Sequence, residues 1–278
     1  MKDKIIFAGD SFTWGEGLEL FIDSKKWINQ RELHSEWPEL ELLQDEESVL
    51  FREKNRYPTL VADELNIKPI VYPDNGGDFS QHLKLIDCIE DTSDVKHIFV
   101  QLSQINRNFP HLTQDCRCTL CMNTGWKPLG QLIYAISENK ITPEVKFIME
   151  VFNCERIDHE FLGKFLQYSK WINRYVTELF IEKCKEWEDT IAPIHFIDSW
   201  SADDSNYWST YPYISDRTID LVRKDGTRTK KWRDFIKTFH HPYISDIYPN
   251  TVNGHPTPEL HQYMAKSVIL YLKENFGY

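Results

Sequence analysis

The chain has 278 residues, 41% hydrophobic and 27% charged, a balance that excludes wholesale disorder, collagen-like repeats and coiled coil. Its net charge of −11 argues against bulk binding to a phosphate backbone, and hence against nucleic acid as a partner. No window approaches the ~18 consecutive apolar residues that a spanning helix needs, so no membrane segment is expected.

Lys4 to Ala8 is a short apolar run feeding Gly9-Asp10-Ser11, and reads as a buried strand ending in a tight loop. Its apolar core falls short of the ~7–15 residues of a secretory signal. The six cysteines are too few for a disulfide framework in a chain of this length. Both observations point to the reducing cytoplasm. Residues 16–56 are acidic and irregular, an insertion with one or two short helices. Pro58 to Leu65 opens with proline and has helical spacing. Ile67 to Tyr72 is a second strand, Ser80 to Asp91 a helix, Val95 to Leu102 a third strand and Val145 to Val151 a fourth. Phe161 to Trp187 carries the strongest helical period, with Phe161, Phe165, Tyr168, Ile172, Tyr175 and Leu179 on one stripe. Ile194 to Ile197 is a fifth strand, and Pro258 to Glu274 closes the chain as an amphipathic helix.

Strands alternating with helices predict one domain over residues 1–278, with a mostly parallel five-stranded sheet covered by helices on both faces. Residues 106–140 and 198–250 exceed ordinary loop length and read as further insertions. In such sheets ligands sit at the carboxyl ends of the strands. The residues just after each strand therefore matter most.

Ser11 follows the first strand directly. It is a nucleophile if a base lies within hydrogen-bond reach, and otherwise a cap for the helix that follows. His255, in Asn253-Gly254-His255-Pro256, precedes the closing helix and is placed to face the same edge, with a surface turn as the alternative. Asn75-Gly76-Gly77 follows the second strand, where a glycine lets a backbone N–H approach a ligand closely. Gln101 to Arg107 ends the third strand, and its amide side chains are candidate donors to an oxyanion.

In this order the four blocks resemble the GDSL/SGNH hydrolase family. Gly9, Asp10 and Ser11 match its first block; Gly77, or else Gly76, looks like the glycine of its second; His255-Pro256 matches its last. The resemblance spans most of the chain as spaced blocks. It implies a three-layer α/β/α, flavodoxin-like fold and ester hydrolysis or acyl transfer without metal or cofactor. Ser11 would attack the acyl carbonyl and His255 would take its proton. The N–H groups of Ser11 and Gly77, with an amide from Gln104 or Asn106, would hold the oxyanion. The pattern G-x-S-x-G is absent, which disfavours the larger α/β-hydrolase fold.

Two departures stand out. The third block lacks the family's G-x-N-D, so the amide donor is either Gln104 or Asn106. Val252 occupies the place of the acid three residues before the histidine. Removing such an acid costs ~10⁴ in turnover in a serine triad. Asn253, Asp246 and Asp198 are candidates to orient the ring instead.

Other signals compete. Cys116, Cys118 and Cys121 with His111 match a Cys₃His zinc set, with free thiols in a surface insertion as the alternative. Residues 223–233 are basic around Asp225-Gly226, a hairpin signal, and read as an anion-binding ribbon or a solvated hairpin. Trp126, Trp200, Tyr207, Trp208, Tyr211 and Tyr213 either line a glycan groove or pack a small core. The sequence thus predicts a serine esterase acting on an acylated carbohydrate or small ester. Its rival is an inactive binding module on the same fold.

Overall fold

β1 (Lys4–Gly9) is buried at every position, as a parallel strand covered on both faces must be. The structure is a computed structural model. It describes residues 2–15, 17–22, 45–73, 91–102, 158–199, 207–247 and 255–278, with isolated positions between 138 and 156. β1 pairs in parallel with β2 (Lys68–Pro73) on one side and β3 (Val95–Leu102) on the other, and β3 pairs in parallel with β4 (Ile194–Asp198). The sheet order is therefore β2-β1-β3-β4, that of the flavodoxin-like doubly wound fold. The strand order turns back at β1, so the β1–β3 boundary is a topological switch point, with Gly9 and Leu102 at the carboxyl ends of the two strands.

Alternate side chains of β1 enter opposite cores. Ile5 and Phe7 join Phe99 and Ile197 under α3 (Tyr57–Leu65) and α8 (Pro258–Phe276), through Tyr57, Val61, Leu260, Met264 and Val268. Ile6 and Ala8 join Ile98, Val100 and Phe196 under α4 (His159–Thr190), through Phe180, Ile181, Cys184 and Trp187. Three layers result. Before α3 come α1 (Ser11–Trp14), a 3-10 turn at Leu18–Phe21 and α2 (Glu46–Asn55). The short α2 is the helix expected inside the first insertion. The helix expected at Ser80 to Asp91 falls largely outside the described residues.

Two expectations are corrected. Within 145–151 the described residues Lys146, Met149 and Glu150 are helical rather than extended, and the sheet has four strands among the described residues. A short apolar run does not by itself distinguish a buried strand from a buried helix turn. The long helix α4 also buries a different stripe from the expected one. Tyr175 and Leu179 are exposed, with Trp171 one turn before them, while Thr177, Phe180, Ile181, Cys184 and Trp187 face the sheet. Apolar residues lie on two sides of this helix, and among its described side chains those covering the strands belong to its C-terminal half.

Residues 207–247 are structured elaborations. β5 (Leu221–Val222) and β6 (Arg228–Thr229) form the antiparallel hairpin signalled by Asp225-Gly226, flanked by α5 (Pro212–Arg217), α6 (Trp232–Ile236) and α7 (Ile244–Ile247). Its cations meet carboxylates: Lys224 reaches Glu259 at 2.7 Å, and Arg228 holds Glu274 through two nitrogens. Tyr207, Trp208, Tyr211 and Tyr213 pack into the core under α4 rather than lining a groove; Trp126 and Trp200 lie outside the described residues. No helix among the described residues is long and apolar enough to cross a membrane.

Candidate active site

Asp10 ends β1 and caps α1, its carboxylate accepting the Phe12 N–H at 3.0 Å. Gly15, at φ 82, stops that helix after one turn, in a conformation that glycine adopts at no steric cost. Ser11 is thereby held as the first helical residue at the carboxyl edge of the sheet. Its Oγ lies 2.7 Å from His255 Nε2. The two residues chosen from sequence as nucleophile and base are in hydrogen-bond contact, 244 positions apart.

A buried polar network underlies this turn. Gln101, fully buried at the end of β3, donates through Nε2 to Asp10 Oδ1 and accepts through Oε1 from the Thr13 hydroxyl. Thr13 has one hydroxyl hydrogen, and Gln101 takes it. The Tyr57 hydroxyl, 3.0 Å away, must therefore donate to Thr13. Burial pushes the Tyr57 phenol far above its ordinary range, so it stays a donor. Gly9 leaves room for this packing: a Cβ there would lie 2.0 Å from Thr13 Oγ1 and 2.7 Å from Gln101 Oε1. The network was missed at the sequence level. One signal for it existed: Gln101 is a lone amide near the end of an otherwise apolar strand run.

On the far side of α1, Arg52 lies 3.9 Å over the Trp14 ring and pairs with Glu19 at 3.4 Å, both ionic side chains being nearly fully buried. This contact ties the first insertion to the Ser11 turn.

His255 is held by its backbone and its ring. Its carbonyl accepts the Ile244 N–H at 2.9 Å, and the Thr257 N–H donates to the Pro242 carbonyl at 3.1 Å. Tyr243 and Pro256 form the antiparallel bridge between these bonds. The imidazole meets the Phe12 ring edge-on at 5.7 Å. One and a half turns on, His261 is fully buried. Its Nδ1 accepts the Tyr57 N–H at 3.3 Å, and burial holds its pKa down at about 3.

Other expected residues fall in different places. Asp198, at the end of β4, is buried and accepts the Trp232 N–H at 3.2 Å. Asp246 is exposed and accepts the Tyr243 N–H at 3.3 Å. Gly76, Gly77, Gln104, Asn106 and Asn253 lie outside the described residues, as do His111, Cys116, Cys118 and Cys121. Among the described residues, no group of three or more His, Cys, Asp or Glu is arranged to hold a metal ion.

No protein-family model matches the chain, and no curated protein sequence does. Two solved structures are similar to it. One, from Desulfitobacterium hafniense DCB-2, is named for the lipolytic G-D-S-L family; it is 9% identical, over 96% of this chain and 98% of that one, with a TM-score of 0.42. The other is a family two carbohydrate esterase from Clostridium thermocellum in complex with cellohexaose. It is 11% identical, over 99% of this chain and 65% of that one, with a TM-score of 0.34.

Proposed function

We propose that this chain is a serine hydrolase acting on esters, with an acylated carbohydrate or similar small ester as substrate. The observation that carries this reading is the 2.7 Å contact between Ser11 Oγ and His255 Nε2. A serine is a weak nucleophile until a positioned base removes its proton. In the proposed reaction the Ser11 O–H gives its proton to His255 Nε2 as Oγ bonds to the acyl carbon. His255 then returns the proton to the departing alkoxide, releasing the alcohol and leaving the acyl group on Ser11. Water, deprotonated by His255, attacks this acyl-enzyme. The carboxylic acid leaves, and Ser11 regains its hydrogen.

The negative oxygen of each tetrahedral stage needs donors aimed at it. The reading assigns this to the Ser11 and Gly77 N–H groups and to the side-chain amide of Gln104 or Asn106. The buried Asp10–Gln101–Thr13–Tyr57 network supports it by holding the Ser11 turn before substrate arrives, which is the preorganisation that acyl transfer rewards.

A fluorophosphonate probe tests the reading. Wild-type protein should be labelled covalently and Ser11→Ala protein should not. A folded wild type that resists the probe, or a Ser11→Ala variant that labels equally well, would overturn it in favour of a binding module.

A further inference from the structure

Val252 stands where an acid would be expected to steer His255, yet the imidazole is in place against Ser11. Two routes to that ring start from one indole. Trp232 is the first residue of α6 and is 1% exposed. Its Nε1–H donates to the Tyr243 hydroxyl at 2.8 Å. Tyr243 is the residue bridged to Pro256, so the indole anchors the segment whose backbone bonds bracket His255. The same indole packs against Phe12, with ring centres 5.7 Å apart, and Phe12 meets the edge of the His255 imidazole. Behind the indole, the Asp198 carboxylate accepts the Trp232 backbone N–H. A buried carboxylate at the first turn of a helix is favoured there by the free N–H groups and the helix dipole.

We propose that Trp232, fixed by Asp198, positions the His255 imidazole against Ser11 without touching it, through Tyr243 on the backbone side and Phe12 on the ring side. Trp232 and Asp198 are positioning residues, and the pair does indirectly what an acid at position 252 would do by direct contact. The proposal rests on the esterase reading only for its kinetic consequence. The geometric claim stands apart from that reading.

The test uses full-length protein and five variants: Trp232→Phe, Tyr243→Phe, their double, Asp198→Ala, and Asp198→Asn as its conservative partner. Two quantities are read in each. One is the maximal rate constant of fluorophosphonate labelling, separated from the half-saturating probe concentration. The other is the ¹⁵N signal of the His255 ring in histidine-labelled protein, assigned with His255→Asn. A misplacement of about 1 Å can cost ~10²-fold in rate. Trp232→Phe and Tyr243→Phe should therefore each slow labelling by about tenfold at unchanged half-saturation, and the double should be no slower than either, since both remove one bond. Asp198→Ala should slow labelling and shift the His255 signal. Asp198→Asn should restore both, because its amide oxygen still accepts the Trp232 N–H.

Folded variants with wild-type labelling and an unmoved His255 signal would overturn the proposal, even with a lower melting temperature. That pattern marks a purely structural role. A wild type that never labels, with a His255 signal that still moves in Tyr243→Phe, would retire the esterase reading and uphold the positioning.

Discussion

His261 accepts the backbone N–H of Tyr57 through Nδ1, and the two rings lie nearly parallel, 14° apart. Tyr57 opens α3, whose cap residue Arg56 has no side-chain acceptor for the free N–H groups, so an imidazole from α8 satisfies one of them. Only a neutral imidazole can accept there. Leaving a buried donor unmet costs about 1–3 kcal/mol. His261→Ala should lose at least that much stability in urea unfolding, and His261→Asn, whose side-chain oxygen reaches the same place, should recover part of it. Equal losses in the two variants would refute the role.

Acid should destabilise the protein through its buried histidines. His97 Nδ1 and His195 Nε2 are 3.1 Å apart, and His195 Nδ1 is 3.0 Å from the Tyr271 hydroxyl. Burial lowers His97 to about 4 and His195 to about 3, alongside His261 at about 3, from an ordinary value of 6.5. The folded state therefore holds these rings neutral while the unfolded chain binds protons below pH 6.5. Their contribution is complete above about pH 6.5 and is lost progressively as pH falls towards 4 and then 3. The urea midpoint should drop between pH 7.5 and pH 5, and the drop should shrink in a His97→Phe variant. A flat profile over that interval would contradict the assignment.

Gly9 should not tolerate a methyl group. Gly9→Ala places a carbon inside the Thr13–Gln101 contact. Overpacking of this kind typically costs about 1–3 kcal/mol. The variant should also label more slowly with fluorophosphonate, since the displaced turn carries Ser11. Normal stability with a normal labelling rate would show that the turn has room to shift.

The Arg52–Glu19 pair should behave as a buried ion pair rather than a surface one. Removing one partner of a buried ion pair typically costs about 3–5 kcal/mol. Arg52→Ala and Glu19→Ala should each be strongly destabilised, and the double variant should lose clearly less than their sum. Additive losses would mean that the two residues act independently.

If His255 is the base, His255→Ala should lower turnover of an activated acetyl ester by about 10⁴-fold or more, with a melting temperature close to wild type. A comparable loss on Ser11→Ala, with no further loss in the double variant, is the signature of two groups acting as a unit. Turnover unaffected by His255→Ala would remove the histidine from the mechanism.

Much of the sheet was legible from sequence, as was the candidate pair that the structure brings into contact, Ser11 and His255. β1, β3 and β4 are dense apolar runs, and the proline-led openings of α3 and α8 mark helix starts. Ser11 and His255 stood out because each belongs to a short local motif. The residues that support them do not. Gln101 gains meaning from Asp10 and Thr13, roughly ninety residues away in the chain, and His261 gains it from Tyr57. Nothing around Trp232 signals that its indole bears on an imidazole. The stretch at 145–151 failed for a different reason, since its composition suits either a strand or a helix. The stripe on α4 failed because that helix carries apolar residues on more than one side, and periodicity does not tell which side meets the sheet.

The separation of 244 positions between Ser11 and His255 also separates the two in time. At about 5–20 residues per second of synthesis, the serine leaves the ribosome roughly 10–50 s before its imidazole. Once β2 and β3 have been made, β1 can pair with them while His255 does not yet exist. A nascent or prematurely terminated chain therefore carries Ser11 without the imidazole it meets, and the pair is first assembled when α8 docks onto α3.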